Sequence, residues 1–304
     1  MDSYRVLALT FFGEIMIDFI VNGKAGYGRS WLRTKKLITD KLNEKGIEYR
    51  FHSTQYKRHA TVLTRELCEQ GATDIVAIGG DGTVNEVLNG LDVEKVNFGI
   101  IPHGSGNDFV DSVAIPHKVE EALDVILTKE AKPTDFLVCD GVRGLNIIGT
   151  GIDVEILQRC ERYKIFKGKL KYFVSLIISL IKFRFYDFKL KKDDGYHDKS
   201  AMIICCCNGK KFGGGIPVCP IASADDQKME FILVNKMNKA KMLGYLIKLM
   251  QGKLLDQPFC DHTTQDEVEA IFKNPTTIEI DGELYENLRF DIKIVKGGLK
   301  LFRP

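Results

Sequence analysis

The chain carries the run GGDGTVNEV, Gly79 to Val87, directly after the apolar stretch Ile75-Val76-Ala77-Ile78. A short apolar run closed by glycine reads as a buried strand. Val84, Val87, Leu88 and Leu91 then recur at helical i, i+3, i+4, i+7 spacing. The order is strand, glycine-rich turn, helix. Such a turn aims backbone N–H groups and a helix N-terminus at one spot, which suits a phosphate. Its glycines permit close backbone approach. Asp81 adds a carboxylate where a metal-bound phosphate would lie. The run is not a P-loop, because no Gly-Lys-Ser/Thr follows. Nor is it the dinucleotide fingerprint, because Asn85 stands at the third glycine position.

A second turn follows the strand-like Phe98 to Ile101: Pro102-His103-Gly104-Ser105-Gly106-Asn107-Asp108-Phe109. If the two strands are neighbours, Asp81 and Asp108 approach one locus. Two carboxylates beside phosphate-binding backbone suit a hydrated Mg²⁺, which takes oxygen ligands and substrate phosphates. The plainer role for Asn107 and Asp108 is to cap a turn or a helix.

The elements around these turns alternate. Ile15 to Val21 reads as a strand and leads into the glycine-bearing turn Asn22 to Gly28. Leu32 to Lys45 reads as a helix closed by Gly46, and Ile47, Tyr49 and Phe51 alternate as a strand. A helix over Ala60 to Gln70 stops at Gly71, and a further helix is marked by Val119, Ala122, Leu123, Ile126 and Leu127. Alternation with short loops predicts a Rossmann-like parallel sheet covered on both faces, with ligands at the C-terminal strand ends. From about Asp135 short β-rich runs dominate: 136–139, 145–148, 188–190, 201–207, 230–234, 277–280 and 290–295. They predict an antiparallel β-sandwich, interrupted by helical insertions near 155–184 and 239–251. The expected domains are 1–134, with 296–304 packing back on it, and 135–295. A cleft between two such domains is a common ligand site.

With 304 residues, 44% hydrophobic and 28% charged, the composition is that of an ordinary globular protein of one large or two medium domains. A net charge of +2 gives no case for bulk nucleic-acid binding. Eight cysteines with no CxxC pair do not make a disulfide framework or a zinc site, and reduced thiols fit a cytoplasmic protein. In Cys205-Cys206-Cys207 alternate thiols are expected to face a core. The N-terminus reads neither as a signal peptide nor as a membrane span, because Asp2, Glu14 and Asp18 interrupt it.

At this spacing GGDGTVNEV and IPHGSGNDF resemble the catalytic domain of the diacylglycerol kinase family, which includes bacterial lipid kinases and is related to sphingosine and ceramide kinases. The resemblance continues through VNGKAG at 21–26, Thr54 with His59-Ala60, GTGIDVEI at 149–156 and FKGKLKYF at 166–173. It ends with FGGGIPVCPIA at 212–222, ADDQKMEF at 224–231, IDGE at 280–283 and the closing GGLKLFRP. GGDGT alone is weaker, since NAD kinases and phosphofructokinases carry similar turns.

The resemblance implies an ATP- and Mg²⁺-dependent kinase acting on a lipid hydroxyl, with diacylglycerol the leading acceptor. It places ATP against Asn22, Gly23, Lys24, Ala25, Gly26, Thr54, Gly79, Gly80, Asp81, Gly82, Thr83, Val84, Asn85 and Ser105. It gives Asp81 and Asp108 the water–Mg²⁺ network, and Ser223, Asp226 and Lys228 a structural Mg²⁺, partly through backbone carbonyls. Lys169 matches a basic residue near the reacting phosphate. Asp281 and Glu283 are the candidates for the base that accepts the hydroxyl proton, with Glu283 preferred. By itself Asp281-Gly282 is a hairpin-turn signal. The chain departs from the family at Gln227, where bacterial members usually have glycine, at Ser105, usually threonine, and at Tyr27, basic in some members. Bacterial relatives suggest a homodimer. A soluble NAD-kinase-like enzyme and a non-catalytic lipid-binding protein are the alternatives on this scaffold.

An enzyme of this kind must meet a bilayer. Residues 162–173 interleave cations with aromatics. Met242, Leu243, Leu246, Ile247 and Met250 form a stripe among Lys239, Lys241, Lys248 and Lys253. Basic amphipathic segments suit an anionic membrane surface and peripheral association, 162–173 before 239–253. Core packing is the plainer reading of either stripe.

Overall fold

The computed structural model describes residues 16–22, 29–152, 154–155, 158 and 183–304. The chain divides into two compact units, one formed by 1–136 with 296–304, the other by 137–295.

The first unit is a parallel α/β sheet. Its strands are β1 (Met16–Val21), β2 (Glu48–Ser53), β3 (Asp74–Gly79), β4 (Asn97–Pro102) and the end of β15 (Phe290–Phe302). They lie in the order β2-β1-β3-β4-β15, all parallel. The helices are α1 (Arg29–Glu44), α2 (His59–Glu69), α3 (Asp81–Leu88), α4 (Asp108–Ser112) and α5 (Val119–Thr128). All six residues of β3 are buried, as expected where helices cover both faces. Gly46 and Gly71 have positive φ just beyond α1 and α2, the backbone state that stops a helix. In a doubly wound sheet of order 2-1-3-4-5 the chain leaves β1 and β3 in opposite directions. The crevice at their C-terminal ends is the ligand site of such sheets. The turns after residues 21 and 79 both start there.

The second unit is antiparallel. Its path is β14 (Glu283–Tyr285), β13 (Ile278–Ile280), β7 (Ile147–Gly151), β9 (Gly195–Cys207), β8 (Tyr186–Lys192), β12 (Glu267–Phe272) and the start of β15. β10 (Met229–Asn235) joins β9 to β11 (Cys260–Gln265), and the end of β5 (Ala131–Cys139), a strand that starts in the first unit, pairs with β6 (Val142–Gly144). One helix is placed in this unit over most of the second expected insertion, α6 (Lys239–Met250). The first insertion, near 155–184, lies almost wholly outside the described residues, as do residues 1–15.

Two details differ from the sequence reading. The Cys205–Cys207 run has no solvent face. Cys205 and Cys207 pack with Tyr245, Leu249 and Val218, while Cys206 packs on the other side with Leu137, Phe231 and Ile280. A strand covered on both faces has no polar positions to reveal an alternation. The apolar run 145–148 is not one strand either. It is broken between β6 and β7 at Leu145 and Asn146, because the N–H groups there serve a side chain instead of the ladder.

Candidate active site

In the first unit the two glycine turns lie against each other. The N–H of His103 donates to the carbonyl of Gly79 at 2.8 Å, carrying the β3–β4 pairing into the turns. A Cβ on Gly104 would stand 2.3 Å from the Cα of Gly80, and one on Gly79 would stand 2.5 Å from Thr83 Oγ1. No side chain fits either place, so the close approach itself requires glycine. α3 starts at once after Gly80, whose carbonyl accepts from Thr83 N at 2.9 Å and Val84 N at 3.1 Å.

Asp81 joins the turns. Its Oδ2 accepts the N–H of Asn107 at 2.8 Å and its Oδ1 the N–H of Asp108 at 2.9 Å. Asn107 holds a left-handed conformation, φ 61°, which asparagine tolerates better than most residues. Its side-chain amide bonds both backbone groups of Gly104, accepting at 3.2 Å and donating at 3.0 Å. Asp81 and Asp108 are thus brought to one locus, with Asp108 only 6% exposed. A carboxylate has about four lone-pair sites, so Asp81 keeps acceptor capacity beyond its two backbone bonds. Carboxylate oxygens of this kind suit a hard cation such as Mg²⁺. Among the described residues, no group of three or more His, Cys, Asp or Glu is placed to hold a metal by itself.

The other expected nucleotide residues gather at the same strand ends. Asn22 Nδ2 donates to Thr83 Oγ1 at 3.4 Å, and Asn22 N to Ile78 O at 3.4 Å. Thr54 N donates to Val21 O at 2.9 Å. Ser105 is exposed in the second turn. Val84 and Asn85 are buried, Asn85 at 2% exposure, so their side chains support the turn. Gly23, Lys24, Ala25, Gly26 and Lys169 lie outside the described residues.

Two residues were not singled out from sequence. Glu86 accepts the N–H groups of Arg58 at 2.9 Å and Ala60 at 3.2 Å, so its carboxylate holds the start of α2 and the loop after Thr54. Its place in the NEV of the first turn was the available signal. His103 stands 3.4 Å from Ser30 Oγ through Nε2 and edge-on to Trp31, which ties the start of α1 to the second turn.

In the second unit Asp281-Gly282 is a two-residue hairpin turn between β13 and β14, with φ of 50° and 86°. Positive φ at both positions is the type I′ geometry that Asp-Gly favours. The Asp281 carboxylate also accepts three backbone N–H groups, from Leu145 at 2.7 Å, Asn146 at 2.9 Å and Ile147 at 3.1 Å. These bonds break the 145–148 run. Gly282 N donates to Glu279. Asn146 ties this corner to the following loop, since its carbonyl accepts from Asn208 N and Gly209 N at 2.8 Å each. Glu283 is half-buried at the start of β14.

The expected structural-cation loop is closed by its own side chains. Ser223 Oγ donates to Asp225 Oδ1 at 2.6 Å, and Lys228 N donates to Asp226 Oδ1 at 3.1 Å. Gln227 takes a left-handed φ of 62°. That is a backbone state glycine adopts freely and a side chain rarely takes.

Comparison with known proteins agrees with this fold. Residues 17–139 match the family model described as diacylglycerol kinase catalytic domain. Residues 146–303 match the YegS C-terminal NAD kinase beta sandwich-like domain. A Cronobacter sakazakii protein described as "Probable lipid kinase YegS-like" is 30% identical over 291 residues, covering 94% of this chain and 95% of its own. The "Diacylglycerol kinase" of Bacillus subtilis is 25% identical, covering 81% and 82% of the two chains. The crystal structure of a diacylglycerol kinase from Bacillus anthracis shares the fold, with a TM-score of 0.76 at 24% identity over 95% and 97% of the chains. The chain belongs to the diacylglycerol kinase catalytic-domain family, and thus to the lipid kinases.

Proposed function

We propose that this protein is an ATP- and Mg²⁺-dependent kinase that phosphorylates the free hydroxyl of diacylglycerol, giving phosphatidic acid. The observation that carries the reading is the pair of glycine turns joined through Asp81 at the ends of β3 and β4. In this reading 1–134 with 296–304 binds the nucleotide and 135–295 the lipid. Residues 79–85, with Asn22 to Gly26, Thr54 and Ser105, hold ATP. Asp81 and Asp108 would hold Mg²⁺, which when bound neutralises phosphate charge. Ser223, Asp226 and the Lys228 backbone would hold a second, structural ion.

Glu283 accepts the proton as the lipid oxygen bonds to the γ-phosphorus and the bond to ADP breaks. Asp281 has three backbone donors on its carboxylate and fixes the turn that presents Glu283. That division favours Glu283 over Asp281 as the base. Lys169 offsets charge on the transferred group. Work at a bilayer surface follows from the acceptor, a lipid held in a membrane. Among the described residues no helix is long and apolar enough to cross one.

The test is transfer of labelled γ-phosphate from ATP to a panel of lipids in mixed micelles, with NAD and a lipid-free control. Label in diacylglycerol alone is the expected result. Label in another lipid changes the acceptor, and label only in NAD overturns the lipid reading.

A further inference from the structure

α6 has two apolar sides. Met242, Tyr245 and Leu249 are buried in the second unit's core. Ile247 falls five residues after Met242 and two before Leu249, roughly half a turn away at about 3.6 residues per turn. It is 52% exposed, and Met250 is 62% exposed. Burial of the first stripe accounts for the helix's attachment to the core and leaves these two side chains unexplained. A third large apolar residue, Ile221, is 57% exposed. It follows Pro220 in a loop that abuts the end of α6, since a Cβ on Gly252 would lie 3.4 Å from both Pro217 and Pro220.

The charge along α6 and its flanks has one sign. Residues 236–255 hold five lysines and no carboxylate, in a chain whose net charge is only +2. Lys241 and Lys253 are exposed and Lys248 is half-buried. None of the three makes an ion pair among the described residues, whereas Lys36, Lys95, Lys118 and Lys191 all do. Exposed apolar side chains flanked by unpaired ammonium groups complement a surface that is anionic outside and apolar just beneath. A protein partner with an acidic rim would meet the same lysines. A membrane additionally explains why the exposed residues are large aliphatics on a helix lying along the surface.

We propose that the outer side of α6, with Ile247, Met250 and the neighbouring Ile221, docks this protein on an anionic lipid bilayer. The reason for such docking rests on the lipid-kinase reading, but binding is measured apart from turnover. The core stripe and the docking stripe then share one helix, so the unit that carries Glu283 is anchored directly.

The experiment is flotation of the whole protein with phosphatidylglycerol-containing vesicles, without ATP. The wild type is expected to float with these vesicles and less with phosphatidylcholine alone. Ile247→Ser with Met250→Ser should weaken binding about tenfold. Lys241→Gln with Lys253→Gln should weaken it and flatten its salt dependence. Both variants should retain the wild-type circular dichroism spectrum and turnover of a water-soluble short-chain diacylglycerol. Vesicle binding unchanged in both variants overturns the proposal, as does a wild type that ignores anionic vesicles. A vesicle-free dimer that the Ile247→Ser, Met250→Ser variant dissociates would also overturn it, marking the patch as a contact between copies. Wild type that floats yet phosphorylates no lipid supports the docking face and refutes the kinase reading alone.

Discussion

The carboxylate of Asp81 accepts the N–H of Asn107 at 2.8 Å, across 26 residues of sequence. The bond fastens the turn after β3 to the turn after β4, and the second oxygen repeats it on Asp108. The shape of both glycine turns is therefore set by one side chain, that of Asp81. The N–H groups of Asn107 and Asp108 are thereby used up in holding the turns together, and a ligand would have to meet other donors of the glycine runs.

Asp81→Asn should thus show a double defect. One amide N–H₂ would face a backbone N–H, a loss of about 1–3 kcal/mol in stability. Turnover should fall on the order of a hundredfold or more in protein that is still folded. Urea unfolding beside a kinase assay separates the two, and near-wild-type turnover would remove Asp81 from the cation site.

Glu283→Gln and Asp281→Asn should separate cleanly. Glu283→Gln is expected to keep ATP binding and stability while turnover falls by a factor of about 10²–10⁴. Asp281→Asn can still adopt positive φ but loses the acceptor for Leu145 N. It should unfold about 1–3 kcal/mol more easily. Preserved turnover in Glu283→Gln with loss in a folded Asp281→Asn would exchange the two roles.

Gln227 holds φ 62° without glycine's freedom. A left-handed side chain costs about 1–2 kcal/mol, partly offset by glycine's larger unfolded-state entropy. Gln227→Gly should therefore raise stability by up to about 1 kcal/mol, read as a higher thermal midpoint in EDTA. A lower midpoint would mean the glutamine side chain contributes more than its backbone costs.

Burial raises the thiols of the second unit. Cys139 and Cys260 are pushed up to about 12 from 9.0, and Cys206 and Cys207 lie well above that ordinary value. In the unfolded chain these thiols ionise near 9, while the folded protein holds their protons. Their contribution to stability is therefore fully present below pH 9 and is lost as pH rises from 9 towards 12. Urea midpoints should be flat from pH 7 to about 8.5 and fall above 9. The same four thiols should resist a thiol reagent at pH 8 until urea is added. Fast labelling of Cys139 in the native protein would contradict its burial.

Much of this was legible because it is local. The strand Asp74–Gly79, its glycine turn and α3 follow one another in sequence, and the apolar period and the glycines mark each step. The polar strand Cys260–Gln265 was not legible: among the described residues it pairs with β10 alone, and most of its side chains are exposed. Without a buried face there is no alternation to read. The joining of Asp281 to Leu145–Ile147 spans some 135 residues, and nothing in either segment announces the other. The Asp-Gly pair gave the turn type; only the fold gave the turn its three donors. Glu86 lies between these cases, visible as a residue of the glycine run but not as the acceptor for Arg58 and Ala60.

β15 begins in the second unit, beside β12, and ends in the first, parallel to β4. Leu299, Leu301 and Phe302 are fully or almost fully buried there. β15 follows the other strands of that parallel sheet in the chain, and so leaves the ribosome after them. Until residue 302 emerges, β4 is an open apolar edge of the kind that recruits stray strands. The first unit can start to fold early but cannot finish before the second has been synthesised.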